Sequence, residues 1–279
     1  MTIADSLKEA SQLLDAAGVP EARREAGSLL SFVIKKDRTF LISHAEDSLA
    51  DSELDCFRDA VARRAEGEPL QYITGVQDFY GREFRVTPDV LIPRPETELL
   101  VEAALEVLEQ TPVVCDVGTG SGCIAVTLLC EGEDARAVAV DVSEAALAVA
   151  EQNARRHGVN ERLELKLSDC FHGFDPITFD LIVSNPPYVS AGALAGLQRE
   201  VRDHEPLIAL SPGVDGLSVI RRLLADSPAF LKPGGRLIME IGFDQGEAVE
   251  ALMDAKLWRM IELRPDLQGI PRIVVAQKL

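Results

Sequence analysis

Between residue 3 and about residue 65 apolar side chains return at helical spacing, as in Leu7, Ala10, Leu13 and Leu14 and again in Leu29, Leu30 and Val33, with Gly18-Val19-Pro20 breaking the run. This pattern predicts a small bundle of helices. Around Gly67-Glu68-Pro69 the pattern changes, and from Tyr72-Ile73-Thr74-Gly75 to Phe84-Arg85-Val86 aromatic and β-branched residues mixed with turn formers predict a β-hairpin. A helix over 96–110 then leads into apolar strands at 113–117, 137–140, 163–167 and 181–183, with helical stretches between them. The tail predicts a strand at 236–240, a helix at 245–255 and strands at 258–263 and 273–276. Strands alternating with helices imply parallel pairing through crossover helices, hence an α/β fold with a doubly wound sheet. The expected organisation is a helical domain at 1–72, a hairpin connector at 73–95 and a sheet domain at 96–279, without internal repeats.

Size and charge narrow the function. A chain of 279 residues can bury one large core and a smaller accessory one. Its 28 Lys and Arg against 46 Asp and Glu leave a net charge of −18, which opposes generic attraction to phosphate backbones, so no stable nucleic-acid binding is expected. The pairs Arg23-Arg24, Lys35-Lys36, Arg63-Arg64 and Arg221-Arg222 read as solvated helix surface. Five cysteines without a CxxC pair exclude a zinc framework and a disulfide scaffold. His204-Glu205-Pro206 lacks a second histidine at H-E-x-x-H spacing, so no metal is expected. The acidic start has no apolar leader core and no apolar run approaches a membrane span, which predicts a cytoplasmic protein with no membrane partner.

The chemistry concentrates where strands end. Cys115-Asp116-Val117-Gly118-Thr119-Gly120-Ser121-Gly122 follows a strand and opens a helix, so its glycines let backbone approach a ligand at the strand's carboxyl end. The closing glycine of G-x-G-x-x-G is replaced by Cys123, which weakens a dinucleotide reading. The loop resembles instead the nucleoside loop of class I methyltransferases. Asp141 ends the next strand, where a carboxylate can accept from both ribose hydroxyls of an adenosine. Asp169 ends the third and is a candidate acceptor for the adenine amino group, with its neighbours packing on the ring.

The fourth strand runs into Asn185-Pro186-Pro187-Tyr188, beside the expected switch point of the sheet. An amide nitrogen is a poor nucleophile because its lone pair is delocalised. The Asn185 side-chain oxygen and the Pro186 carbonyl can accept its two N–H groups, the prolines stiffen the backbone, and Tyr188 can pack on the planar group. The proton can leave after methyl transfer, once the nitrogen is cationic. On the residues alone, adenine and a side-chain amide are both possible acceptors, so a DNA or RNA adenine-N6 methyltransferase is the alternative. The absence of a basic base-reading module counts against it. A noncatalytic cofactor-binding adaptor is the third reading, and the intact loops speak against it.

Gly67-Glu-Pro-Leu-Gln-Tyr-Ile-Thr-Gly75, Phe79-Tyr-Gly81, Val90-Leu-Ile-Pro-Arg-Pro-Glu-Thr-Glu98, Asp116 to Gly122, Asn185 to Tyr188, His204-Glu-Pro206, Asp215-Gly-Leu217 and Glu240-Ile-Gly242 occur in order along the chain. In these stretches the sequence resembles the PrmC/HemK family of peptide-chain release factor N5-glutamine methyltransferases. The resemblance implies a class I S-adenosylmethionine-dependent methyltransferase fold, Rossmann-like with a mainly parallel seven-stranded sheet, a small N-terminal helical bundle and a connecting β-hairpin. It implies S-adenosylmethionine as cofactor, S-adenosylhomocysteine as product, and the glutamine of the Gly-Gly-Gln loop of class I release factors as acceptor. The expected cofactor contacts are Thr97, Asp116, Gly118, Thr119, Gly120, Ser121, Gly122, Asp141, Asp169 and Asn185. Cys170 stands where family members often carry an aromatic, leaving the adenine contact to Cys170 or Phe171. Asn185, Pro186, Pro187 and Tyr188 would hold the glutamine. Thr97 or Glu98 would lie near the cofactor's amino acid end, and the helical domain would meet the release factor.

Overall fold

The computed structural model describes residues 1–108, 113–174 and 178–279, so the last two positions of the helix expected over 96–110 lie outside the described residues. They form two compact units, Met1–Val76 with Gln198–His204, and Gln77–Leu197 with Glu205–Leu279.

In the first unit the apolar periodicity becomes α1 (Ile3–Ala16), α2 (Ala22–Ile34), α3 (Arg38–Ser43) and α4 (Asp51–Ala65), followed by the short α5 (Leu70–Thr74). Side chains start these helices by taking backbone N–H groups that have no partner within the helix. The Thr2 hydroxyl accepts from Asp5 N at 3.1 Å, the Asp37 carboxylate accepts from Phe40 N at 2.8 Å, and Glu53 reaches back to accept from Ala50 N at 2.9 Å. Ile3, Ala10 and Leu14 of α1 close on Leu29, Leu30 and Phe57 as the core. Arg64 is buried beside it, its guanidinium donating to Glu25, to Glu200 at 2.7 Å and to the Glu68 carbonyl at 3.1 Å. Glu200 belongs to the 198–204 segment, whose place in this unit no pattern in the sequence announced.

Next along the chain come the hairpin β1 (Val76–Phe79) and β2 (Arg82–Arg85), then α6 (Pro95–Leu108), β3 (Val113–Val117), α7 (Cys123–Glu131), β4 (Arg136–Asp141), α8 (Glu144–Arg156), β5 (Leu163–Leu167) and β6 (Phe179–Ser184). After these come α9 (Arg199–His204), α10 (Leu207–Leu210), α11 (Ser218–Phe230), β7 (Leu231–Glu240), α12 (Gly246–Leu252), β8 (Trp258–Pro265) and β9 (Pro271–Lys278). The sheet order is β5-β4-β3-β6-β7-β9-β8, parallel from β5 to β7, with β9 antiparallel to both its neighbours.

Period-two alternation assigns the strand side chains to two cores. Val114, Ala137, Ala139, Leu181, Val183 and Ile238 face one, with Leu100 and Val101 of α6 and Ile124 and Leu128 of α7. Cys115, Val138, Val140, Ile182, Leu237 and Met239 face the other, with Ile220 and Leu223 of α11 and Val249 of α12. Both faces are covered, which is why these strands read as continuous apolar runs. The hairpin is fastened to the first of these cores by Phe79 and Phe84 and by Asn153 of α8, whose amide oxygen accepts from Arg85 N at 2.7 Å.

Several boundaries differ from expectation: the hairpin expected from Tyr72 begins at Val76, since Leu70–Thr74 is helical, and β8 and β9 extend to Pro265 and from Pro271 to Lys278. β7 starts at Leu231 rather than at 236, because Phe179 pairs with Leu231 and the Lys232-Pro233-Gly234-Gly235 stretch, turn-like in sequence, is absorbed as an irregularity before Leu181 pairs with Arg236. The helix expected over 245–255 ends at Leu252.

The order in which strands are added reverses between β3 and β6: β4 and β5 lie to one side of β3, and β6 and β7 to the other. Ligands in such sheets bind at the carboxyl ends beside this switch point. Ser184 Oγ, ending β6, donates to Val117 O, ending β3, at 2.7 Å and ties the two mouths together.

Candidate active site

A cavity of about 390 Å³ opens at that point, within the range of small-molecule sites. The turn after β3 forms one wall. Gly118 and Gly120 have φ of +75° and +55°, and a Cβ on either would project into open space, so the backbone here is free to lie against a ligand. Gly118 N and Thr119 N both donate to Val140 O at 2.9 Å, pinning the turn to the end of β4. Asp141, ending β4, accepts from Gly120 N at 2.9 Å through one carboxylate oxygen and from Ser143 N at 3.0 Å through the other. Each oxygen retains a lone pair for a further donor, the arrangement two vicinal hydroxyls require. Burial raises the Asp141 pKa above the ordinary carboxylate value, against the pull of these N–H groups.

The cavity is lined as well by Asn185, Pro186 and Pro187 after β6, by Thr97 in the first turn of α6 and by Arg94 just before that helix. Asn185 Nδ2 donates to Thr97 Oγ1 at 3.0 Å, and Thr97 Oγ1 donates to Glu240 Oε2 at 2.6 Å. Glu240 is 1% exposed at the end of β7, and its other oxygen accepts from the Tyr188 hydroxyl at 3.0 Å. Burial pushes the Glu240 carboxyl up; burial and the neighbouring Glu240 push the Tyr188 hydroxyl up. Arg94 donates to the buried Glu205, whose other oxygen accepts from Ile92 N at 3.4 Å, so a cation is anchored at the cavity rim.

Of the residues expected at the site, Thr97, Gly118, Thr119, Gly120, Ser121, Asp141, Asp169, Cys170, Asn185, Pro186 and Pro187 line this cavity. Four others stand behind it. Asp116 is fully buried, and its Oδ2 accepts from Thr119 Oγ1 at 2.7 Å and Ala125 N at 3.3 Å, so it braces the turn from beneath. Its Oδ1 has no hydrogen-bond partner, and burial pushes its pKa up to about 7. Gly122 serves helix packing instead, since a Cβ there would sit 3.1 Å from that of Ala150 on α8. Phe171 stacks on Phe230 at 4.7 Å inside the core, so of the two adenine candidates Cys170 is the one on the wall. Tyr188 turns its hydroxyl inward to Glu240 rather than its ring toward a ligand.

Asp169 lines the cavity, and its two carboxylate oxygens accept from Arg222 Nη1 at 2.8 and 2.9 Å, each keeping a lone pair for a further donor. Glu98 accepts from Tyr80 N in the hairpin turn at 2.8 Å, away from the role considered for it. Glu205, Glu240 and Gln245 carry contacts that no sequence role anticipated. Gln245 Nε2 donates to the Tyr188 carbonyl at 3.0 Å while its Oε1 accepts from Gly242 N at 2.9 Å, clamping the far end of the loop.

The cavity therefore offers a flat backbone wall with a bidentate carboxylate, a rim cation, and an asparagine held by a hydroxyl. A nucleoside with a charged tail fits the first three, and a planar NH2 group fits the last. Residues 5–75 match the PrmC N-terminal domain and residues 95–201 the methyltransferase small domain. The release factor glutamine methyltransferase of Cereibacter sphaeroides is 49% identical over 99% of this chain and 99% of its own. That of Koribacter versatilis is 44% identical over 100% and 99%. The crystal structure of ribosomal protein L11 methylase from Lactobacillus delbrueckii subsp. bulgaricus shares the fold, with a TM-score of 0.51 at 21% identity over 72% of this chain and 88% of that one.

Proposed function

The chain belongs to the release factor glutamine methyltransferase family, and we propose that it moves a methyl group from S-adenosylmethionine to the side-chain amide nitrogen, N5, of the Gly-Gly-Gln glutamine in class I release factors. It acts on a protein in the cytoplasm, in support of translation termination. The observation that carries the reading is the orientation of Asn185: with Nδ2 turned to Thr97, its Oδ1 is free to accept from an incoming NH2 group.

When bound, the cofactor would supply a sulfonium methyl group, so that a bond forms from the amide nitrogen to the methyl carbon as the sulfur–methyl bond breaks and the nitrogen then releases a proton to solvent. Asp141 would take the ribose hydroxyls, the Gly118 to Ser121 backbone and Cys170 would flank the nucleoside, and Arg94 would meet the methionine carboxylate. Asn185 Oδ1 and the Pro186 carbonyl accept the two N–H groups of the acceptor, holding the nitrogen lone pair toward the methyl donor. Two neutral acceptors also favour the positive charge that develops on nitrogen during transfer, and no base is required at the start.

The test is methyl transfer from labelled S-adenosylmethionine to a purified release factor, to its Gly-Gly-Ala version, and to DNA and ribosomal RNA. Label on the release factor, abolished with the glutamine, is expected. Label on nucleic acid alone makes the protein an amino-methyltransferase of bases, and none on any substrate makes it an adaptor. Asn185→Ala should reduce turnover by about a hundredfold or more with cofactor affinity within several-fold; unchanged turnover removes Asn185 from the mechanism.

A further inference from the structure

We infer that Glu240 is a positioning residue that sets the polarity of the catalytic asparagine through Thr97. The inference rests on the proposed role of Asn185 as acceptor for the substrate amide and explains how an asparagine, whose two ends have nearly the same shape and opposite hydrogen-bonding character, presents the correct one.

A hydroxyl has one proton. Glu240 accepts on both oxygens, from the Tyr188 hydroxyl on Oε1 at 3.0 Å and from Thr97 Oγ1 on Oε2 at 2.6 Å, so Thr97 commits its proton to Glu240. It can then only accept from Asn185, which must place Nδ2 on that side, at 3.0 Å. Oδ1 consequently points the other way, and a substrate NH2 meets an acceptor rather than a second donor. Were the asparagine reversed, two donors would face each other at the reacting nitrogen.

The placement of Glu240 suits this purpose and little else. It is 1% exposed and lies behind the cavity wall, while Thr97, 2% exposed, and Asn185 are on the wall. Burying a carboxylate is unfavourable, and a core stabiliser of that volume would serve better as an apolar residue. Glu240 nevertheless receives hydroxyl donors on both oxygens, Thr97 on one and Tyr188 on the other at 3.0 Å, so its geometry is over-determined. The first and last residues of the Asn-Pro-Pro-Tyr loop thereby answer to a single carboxylate.

The full-length variants Thr97→Val, Thr97→Ser, Glu240→Gln and Asn185→Ala test this against a purified release factor, with kcat, KM for the release factor, cofactor Kd and the melting temperature measured on each. Thr97→Val keeps the shape and removes the relay; Glu240→Gln keeps the shape and replaces one of the two acceptors by a donor. Both should lower kcat by about tenfold or more, with cofactor Kd within about threefold and melting within a few degrees of the parent. Thr97→Ser should recover most of the turnover that Thr97→Val loses. Wild-type turnover in Thr97→Val beside an inactive Asn185→Ala overturns the relay and leaves the role of Asn185 standing. An active Asn185→Ala overturns both. Turnover that falls only in step with melting temperature or cofactor affinity assigns Glu240 to the fold alone and also overturns the proposal.

Discussion

Gly216 offers the sharpest test of how the Asn-Pro-Pro-Tyr loop is held. It has φ of +73°, and a Cβ there would lie 2.3 Å from the Tyr188 carbonyl oxygen and 2.9 Å from Gln245 Nε2, closer than the 3.0 Å that Cβ atoms essentially never cross. In Gly216→Ala the left-handed backbone alone costs about 1–2 kcal/mol. The clash requires the Tyr188 carbonyl to retreat by about 1 Å, since non-bonded atoms settle beyond 3 Å. Losing its bond from Gln245 leaves the part-buried Tyr188 carbonyl unpaired, a further cost of about 1–3 kcal/mol. Gly269→Ala is the control: φ is +81° with nothing within 4 Å of the added carbon, so only the backbone cost applies. Urea unfolding should therefore show Gly216→Ala less stable than Gly269→Ala by about 1–3 kcal/mol. Because Tyr188 adjoins the prolines that follow Asn185, turnover should fall by about a hundredfold in Gly216→Ala alone. Equal unfolding midpoints together with near-normal turnover in Gly216→Ala would refute the claim that this close approach sets the loop.

Asp116 holds its proton more tightly folded, at about 7, than its ordinary 3.8. The stability it contributes is complete below about pH 4, declines as pH rises and is gone above about pH 7, a difference of about 4 kcal/mol at most. In ligand-free protein, Asp116→Asn should gain on wild type between pH 5 and 7 and hold that gain to pH 8; parallel stability curves would contradict the assignment. Phe171→Ala should cost about 3–4 kcal/mol in urea, with cofactor Kd within several-fold, because its ring stacks on Phe230 rather than on a ligand; weakened binding at unchanged stability would return Phe171 to the adenine site. Arg64→Leu leaves Glu25 and Glu200 without their shared cation and should cost about 3 kcal/mol in urea unfolding, and a neutral effect would show that solvent satisfies both acids.

The parts that were legible in the sequence are those set by local pattern. The strands ending at Val117, Asp141 and Ser184 announced themselves by apolar runs closed by turn residues, and a sheet with both faces covered follows from such runs. The glycine turn and Asp141 were readable because position at a strand's end determines what backbone and carboxylate can reach. Side-chain direction was not readable. Asp116 and Asp141 occupy similar places at strand ends, yet one braces its turn from below and the other faces the cavity. Phe171 follows Cys170 directly, but Cys170, at φ of +52°, lies on the wall while Phe171 joins an aromatic cluster. Partners remote in sequence were hidden altogether: Thr97 meets Glu240 143 positions away and Arg94 meets Glu205 111 away, and one sequence contains no trace of either pairing.

Those remote pairings decide what kind of acceptor the site can hold. A carboxylate placed directly against the reacting nitrogen would accept from it in either orientation and need no relay. It would also stand close to the sulfonium of the donor and favour that cation before transfer, so part of its attraction would stabilise the ground state rather than the transition state. With Asn185 at the cavity and Glu240 two hydrogen bonds behind it, at 3.0 and 2.6 Å, the charge is withdrawn while its direction is retained. On the role proposed for Asn185, the substrate would meet an amide dipole with its negative end forward, complementary to a nitrogen that becomes positive only as the methyl group arrives. For a weakly nucleophilic amide this difference between ground and transition state is where catalysis must come from. It also explains why threonine, with a hydroxyl that both donates and accepts, stands between a carboxylate and an asparagine: valine would fill the same space and transmit nothing.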